Sequence, residues 1–86
     1  NFPEAIMETH NEARILVANQ NIPNMVSQIS AVLAAEGINI DQMLNKKREN
    51  IAYNIIDVDK KVINESIREK LLAIEGIFMV RIIQAE

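Results

Sequence analysis

Residues 14–40 read RILVANQNIPNMVSQISAVLAAEGINI, and this run decides the fold. Ile15, Leu16, Val17 and Ala18 are continuously apolar, which suits a strand over residues 14–19 that is covered on both faces. Gln20, Asn21 and Ile22 make a turn, and Pro23 opens a helix over residues 23–36. Met25, Val26, Ile29, Val32 and Leu33 follow the spacing of one buried helical stripe. Pro23 fits the first helical position, where its missing N–H would be unpaired anyway. Gly37 fits the left-handed position just past a helix end. A strand that feeds a helix start through carboxamide side chains is a ready place for a small zwitterion or anion. Backbone N–H groups are unpaired there, and the local dipole favours negative charge.

Outward from this run, residues 38–47 form a second strand. Ile38, Ile40, Gln42 and Leu44 fall on one face, with Asn39, Asp41, Met43 and Asn45 on the other, the mixed polarity of an edge strand. Arg48, Glu49 and Asn50 supply a hairpin turn. Residues 51–58 are richer in apolar side chains and read as a central strand. A second helix spans residues 63–74, with Ile63, Ile67, Leu71 and Ile74 as its stripe and Gly76 ending it. Residues 77–84 make a last strand, in which Phe78, Val80 and Ile82 alternate against Ile77, Met79 and Ile83. The order βαββαβ is an α+β, ferredoxin-like sandwich: a four-stranded antiparallel sheet with two helices on one face.

Composition narrows the function. The chain has 86 residues, room for one domain that buries about 60–65% of its unfolded surface, so a partner would help its stability. Apolar residues make up 49%, enough for a core. Net charge is −3, from 9 basic and 12 acidic residues, which gives no general attraction to nucleic acid or to anionic membranes. No Cys is present, which excludes disulfides and thiolate metal sites. No apolar run approaches the roughly 20 residues of a membrane helix, and no signal peptide opens the sequence. The first residue is Asn1, so the expectation is a piece of a longer protein; the lack of Cys is compatible with a reducing cytosol, and a cytoplasmic location is expected. Residues 1–12, with Pro3, Glu4, Glu8 and Glu12, read as a linker, or as a strand that orders only in a dimer, and residues 13–86 as the folded domain.

Catalytic chemistry has thin support. His10 is the sole histidine, and nothing beside it resembles a base-and-nucleophile pair. Ser27, Ser30 and Ser66 fall within helices and read as surface positions. Asp57 and Asp59 read as turn and helix-start residues rather than as a metal site. Lys46, Lys47 and Arg48 form the sole basic cluster, which reads as solvated charge protecting a strand edge. Other users of this topology leave marks that are absent here. An RNA-recognition domain carries stacking aromatics on its central strands, whereas this chain has only Phe2, Tyr53 and Phe78. A heavy-metal domain needs a Cys-x-x-Cys loop, and an acylphosphatase-like site needs an arginine in the first turn. Asn19, Asn21 and Asn39 remain. They fit turn and cap chemistry as well as they fit a ligand site at the helix start.

The lead-in Asn1-Phe2-Pro3-Glu4, the Asn19-x-Asn21-x-Pro23 turn, the run from Glu36 through Gly37, Ile38 and Asn39 to Ile40, and the Ala52 to Val58 strand together resemble the ACT-domain family. The form they resemble is the one at the C-terminus of D-3-phosphoglycerate dehydrogenases, and the likeness covers essentially the whole chain. It implies a non-catalytic regulatory domain, without metal or cofactor of its own, of an NAD-dependent parent enzyme in serine biosynthesis. It also implies a homodimer joined sheet to sheet, with an amino acid effector, L-serine first, bound between the copies and inhibiting a distant catalytic site. Carried over by motif, Asn19, Asn21, Pro23, Asn24 and Asn39 would form the ligand site, with Asn21 near the effector's carboxylate and amine and Asn39 reaching in from the partner chain, and residues 1–12 would be the linker from a preceding catalytic domain. Asn19 stands where the family often has His, and Asn24 where it usually has Gly. The alternatives are an assembly module that binds no ligand, a sensor of a larger amino acid, and a small catalytic domain on the same fold.

Overall fold

The computed structural model describes residues 12–85. Its elements are β1 (Arg14–Gln20), α1 (Met25–Ala35), β2 (Ile40–Arg48), β3 (Ile51–Val58), α2 (Glu65–Leu72) and β4 (Ile77–Ile83). The strands form one sheet in the order β2-β3-β1-β4, with every neighbouring pair antiparallel. This is the expected ferredoxin-like βαββαβ arrangement, with β2 at an edge and β3 inside. The proposed linker, residues 1–12, lies outside the described residues except for Glu12, as does His10.

The core lies between the sheet and both helices. Ile15 and Val17 of β1, Ile56 and Val58 of β3 and Val80 of β4 cluster with Met25, Ile29 and Leu33 of α1 and with Ile67 and Leu71 of α2. Strand side chains alternate between faces, so both helices cover the same face. On the opposite face Leu16, Ala18 and Ile55 are also buried. There Arg14 and Asp57, directly opposite in register, form a two-pronged ion pair at 2.6 and 3.1 Å. Asp57 is thus a strand residue holding β1 to β3, not a turn residue. No helix among the described residues is long and apolar enough to cross a membrane.

Helix boundaries differ from the periodicity at both helices. Helix α1 begins at Met25 because Asn24 takes φ +69°, a left-handed conformation that cannot continue a right-handed helix. Pro23 therefore belongs to the preceding turn rather than to the first helical position. Val26, expected in the buried stripe, is 44% exposed, and the stripe narrows to Met25, Ile29 and Leu33 with Val32 alongside. The far end is as expected. Gly37 has φ +73°, its N–H bonds to the Ala34 carbonyl, and the Ile38 N–H bonds back to Leu33. Those two bonds, with Ile38 packed in the same cluster as Leu33, form a Schellman cap. Helix α2 is shorter than its apolar stripe. The Asn64 side chain accepts from the Ser66 N–H and starts the helix after Ile63. Ile74 lies past its end, in the turn closed by the Ile77 N–H on the Ile74 carbonyl.

Two strand irregularities re-aim side chains. A register shift between Ile40 and Gln42 puts Ile40 and Met43 on the core side, so the simple alternation expected for residues 38–44 fails. A second shift, between Ala18 and Asn19, pairs Ile77 with Asn19 and Met79 with Ala18. Ile77 and Val80 then face the core while Phe78 is pushed out, 55% exposed, against the expected alternation.

Candidate functional site

At the end of the sandwich where β1 gives way to α1, the structure opens a cleft of about 450 Å³. One wall is the turn and first helical residues from Asn21 to Ser27; the floor is Asn19, Asn45, Ala52 and Asn54, with Lys47 at the side. The size suits a small molecule. The turn is held to the sheet at two points: the Gln20 N–H bonds to the Gly76 carbonyl and the Asn21 N–H to the Asn50 carbonyl. Gly76, at φ +100°, allows the turn to close. A Cβ there would sit 2.8 Å from Met25 Cε and 3.0 Å from Ile22 Cδ1.

The helix start carries no compensating side chain. Asn24 makes no side-chain cap, and no acidic residue stands in the first turn. The first helical bond is from the Gln28 N–H to the Asn24 carbonyl, so the preceding N–H groups at Met25, Val26 and Ser27 are the orphan donors of the helix end. With the helix dipole they suit a carboxylate. The left-handed backbone of Asn24 gives a physical reason for glycine at this position in the resembling family. Asn is among the few other residues that occupy it readily.

Below the opening runs a ladder of amides on the helix side of three strands. Asn45 Nδ2 donates to Asn54 Oδ1 at 2.5 Å, Asn54 Nδ2 donates to Asn19 Oδ1 at 2.7 Å, and Asn19 Nδ2 donates to the Gln20 carbonyl at 2.8 Å. Asn54 is fully buried and Asn19 is 1% exposed. Such groups are stable inside only because each amide is paired. The ladder fixes the carbonyl of Gln20 and hence the turn that carries Asn21.

The structure brings Asn19, Asn21, Pro23 and Asn24 together around this cleft. Asn39 lies elsewhere: it precedes β2, past the far end of α1, a helix about 16 Å long. There it donates through its backbone N–H and Nδ2 to the two carboxylate oxygens of Asp59, each at 3.1 Å, and the Asp59 N–H returns a bond to the Asn39 carbonyl. Asp59 accordingly clamps the entry to β2 and does not start a helix. Among the described residues no three His, Asp or Glu side chains group to hold a metal.

Sequence reasoning missed Asn45, Lys47 and Asn54. A signal existed for two of them. A two-residue turn at Glu49 and Asn50 sets Arg48 opposite Ile51, and the same register sets Asn45 opposite Asn54. An amide inside the apolar run of β3 was the second hint, since a buried polar group is informative where a buried isoleucine is not.

No protein-family model matches the chain. D-3-phosphoglycerate dehydrogenase of Escherichia coli K12 is 26% identical over 87 residues, an alignment covering 96% of this chain and 20% of that protein. The same enzyme of Shigella flexneri matches equally. The chain thus spans about one fifth of the length of the curated relatives it matches. Among solved structures, the ACT domain of GTP pyrophosphokinase from Chlorobium tepidum superposes with a TM-score of 0.69 at 20% identity, covering 83% of this chain and 95% of that one. A homoserine dehydrogenase from Thiobacillus denitrificans gives 0.67 at 24% identity, over 93% of this chain and 19% of that one. At these identities the structural likeness speaks to the fold. The chain has the fold of an ACT domain and is similar, over nearly its whole length, to part of D-3-phosphoglycerate dehydrogenase.

Proposed function

We propose that this chain is the C-terminal regulatory domain of a D-3-phosphoglycerate dehydrogenase-like, NAD-dependent cytoplasmic enzyme. In this reading it pairs with a second copy and binds an amino acid effector, L-serine first, at the shared boundary. The observation that carries the reading is the cleft at the start of α1, where free N–H donors meet the rim residue Asn21 over a fixed amide floor. A ligand carboxylate would accept from the α1 N–H groups, and its ammonium would donate to carboxamide or backbone oxygens.

Two features support a pair. Strand β2 is an edge strand with one open side. Helix α1 carries no charged residue at all over Met25–Ala35, although Val26, Ala31, Ala34 and Ala35 are exposed, whereas α2 carries Glu65, Arg68, Glu69 and Lys70. Charge depletion on an exposed face is the mark of an interface core. A two-fold axis near the middle of β2, pairing it antiparallel with its copy, sets the start of one β2 beside the end of the other. Asn39 of the second copy then approaches Lys47 and the cleft. A ligand touching both copies would favour one relative arrangement and so couple the subunits of the parent enzyme.

Titration calorimetry with L-serine, with the dimer followed by sedimentation, tests this. Saturable binding that is lost in both Asn21→Ala and Asn39→Ala is expected; an intact dimer that takes up no amino acid refutes it. One observation favours a second reading, an assembly module that binds no ligand: the Asn24 side chain lines the cleft where glycine would leave it open. In that case Asn24→Gly creates binding that the natural chain lacks.

A further inference from the structure

The geometry points to an effector with an anionic side chain: Lys47 selects, within the cleft of the proposed amino acid site, L-amino acids whose side chain ends in a carboxylate or phosphate. This rests on the amino acid reading above and replaces its first-choice effector, serine, by an anionic one. Among the described residues the lining contains one formal charge, the Lys47 ammonium, and no carboxylate. A free serine is a zwitterion whose single carboxylate is already matched by the N–H groups at the start of α1. Serine leaves the lysine without a counter-charge, and a second anionic group on the ligand supplies one.

A lysine near a hairpin end is ordinarily just solvated, and the neighbouring residue shows what that looks like. Lys46 pairs with Tyr53 on the sheet face away from the helices, outside the cleft. Lys47 pairs with Ala52 on the helix side, on the same face as Asn45, whose side chain heads the amide ladder. Ala52 is small and lines the cleft together with Lys47. Among the described residues no carboxylate forms an ion pair with Lys47. Lys70, by contrast, is taken by Glu36 and Arg68 by Glu65. The cleft therefore holds a cation that no carboxylate among the described residues engages, beside amide groups fixed by their own hydrogen bonds. Net charge in the cleft is complementary to a ligand of net charge −1, which describes an acidic amino acid and not serine.

Calorimetry on the 86-residue chain with L-aspartate, L-asparagine, O-phospho-L-serine and L-serine separates the possibilities. Aspartate and asparagine have the same shape, so their ratio isolates the charge. We expect aspartate to bind about tenfold tighter than asparagine in low salt, with the ratio shrinking as salt is added. In Lys47→Met the ratio falls to about one. In Lys46→Met, which removes the same charge from the opposite face, the ratio stays. Phosphoserine above aspartate assigns the preferred anion as phosphate, and the reverse order assigns it as carboxylate. Serine binding with aspartate no tighter than asparagine, or a ratio that survives Lys47→Met, overturns the inference and leaves the amino acid reading intact. Absence of binding by all four ligands overturns both.

Discussion

Replacing Asn54 by alanine cuts the amide ladder at its centre, and the cost can be worked from the structure. The substitution removes the donor to Asn19 Oδ1 at 2.7 Å and the acceptor for Asn45 Nδ2 at 2.5 Å. Asn45 is exposed and recovers a bond to water. Asn19 is 1% exposed and does not. A buried acceptor left unsatisfied costs about 1–3 kcal/mol, and the void where the amide stood adds about 1 kcal/mol, giving a loss of about 3 kcal/mol. That is a large share of the roughly 5–15 kcal/mol that holds a small domain together. With a urea slope of about 1.5 kcal/mol/M, the unfolding midpoint at fixed protein concentration falls by about 2 M. Because the penalty resides in the orphaned Asn19, adding Asn19→Ala recovers about 1–2 kcal/mol in a double-mutant cycle. A loss below about 1 kcal/mol, or strictly additive effects, would show that water reaches these amides and that the ladder does not set the turn.

Asn24→Gly keeps the left-handed backbone and changes stability by no more than about 0.5 kcal/mol, whereas Asn24→Val, a poor occupant of φ +69°, costs about 1–2 kcal/mol by thermal or urea unfolding. Gly76→Ala, facing Met25 Cε at 2.8 Å, destabilises by about 2 kcal/mol, more than Gly37→Ala at about 1 kcal/mol, because nothing lies within 4 Å of a Cβ at Gly37; equal losses would mean the turn over Gly76 yields freely. Asp57→Ala takes the carboxylate from a guanidinium on the buried residue Arg14 and costs about 2–4 kcal/mol, while the joint change Arg14→Met with Asp57→Leu stays within about 1 kcal/mol of the natural chain. Each is read from denaturant midpoints with the slope held constant.

Much of the fold was legible because its patterns are strong. Strand β3 was expected over residues 51–58 and runs Ile51–Val58, since an apolar run between a polar turn and the polar stretch from Asp59 leaves little choice. The Gly37 cap was legible for the same local reason. Legibility failed where one residue breaks a period. Nothing in Asn24 announces a left-handed φ until the turn is seen closing over Gly76. The bulges near Asp41 and Phe78 invert faces by a single step that a strict alternation cannot foresee. At the site, Asn21, Pro23 and Asn24 were visible as one contiguous motif. Asn45, Lys47 and Asn54 were not, because they arrive from a hairpin whose register, rather than its composition, puts them under the helix start.

The most direct test of the central claim is an amide-resolved NMR titration of the chain with L-serine and with L-aspartate. Saturable shifts are expected in the backbone N–H groups of Met25, Val26 and Ser27 and in the side-chain amides of Asn21 and Asn45, together with Asn39 at the other end of α1, as a ligand shared across two copies requires. Shifts confined to other surfaces, or none at millimolar ligand with the dimer intact, would contradict it.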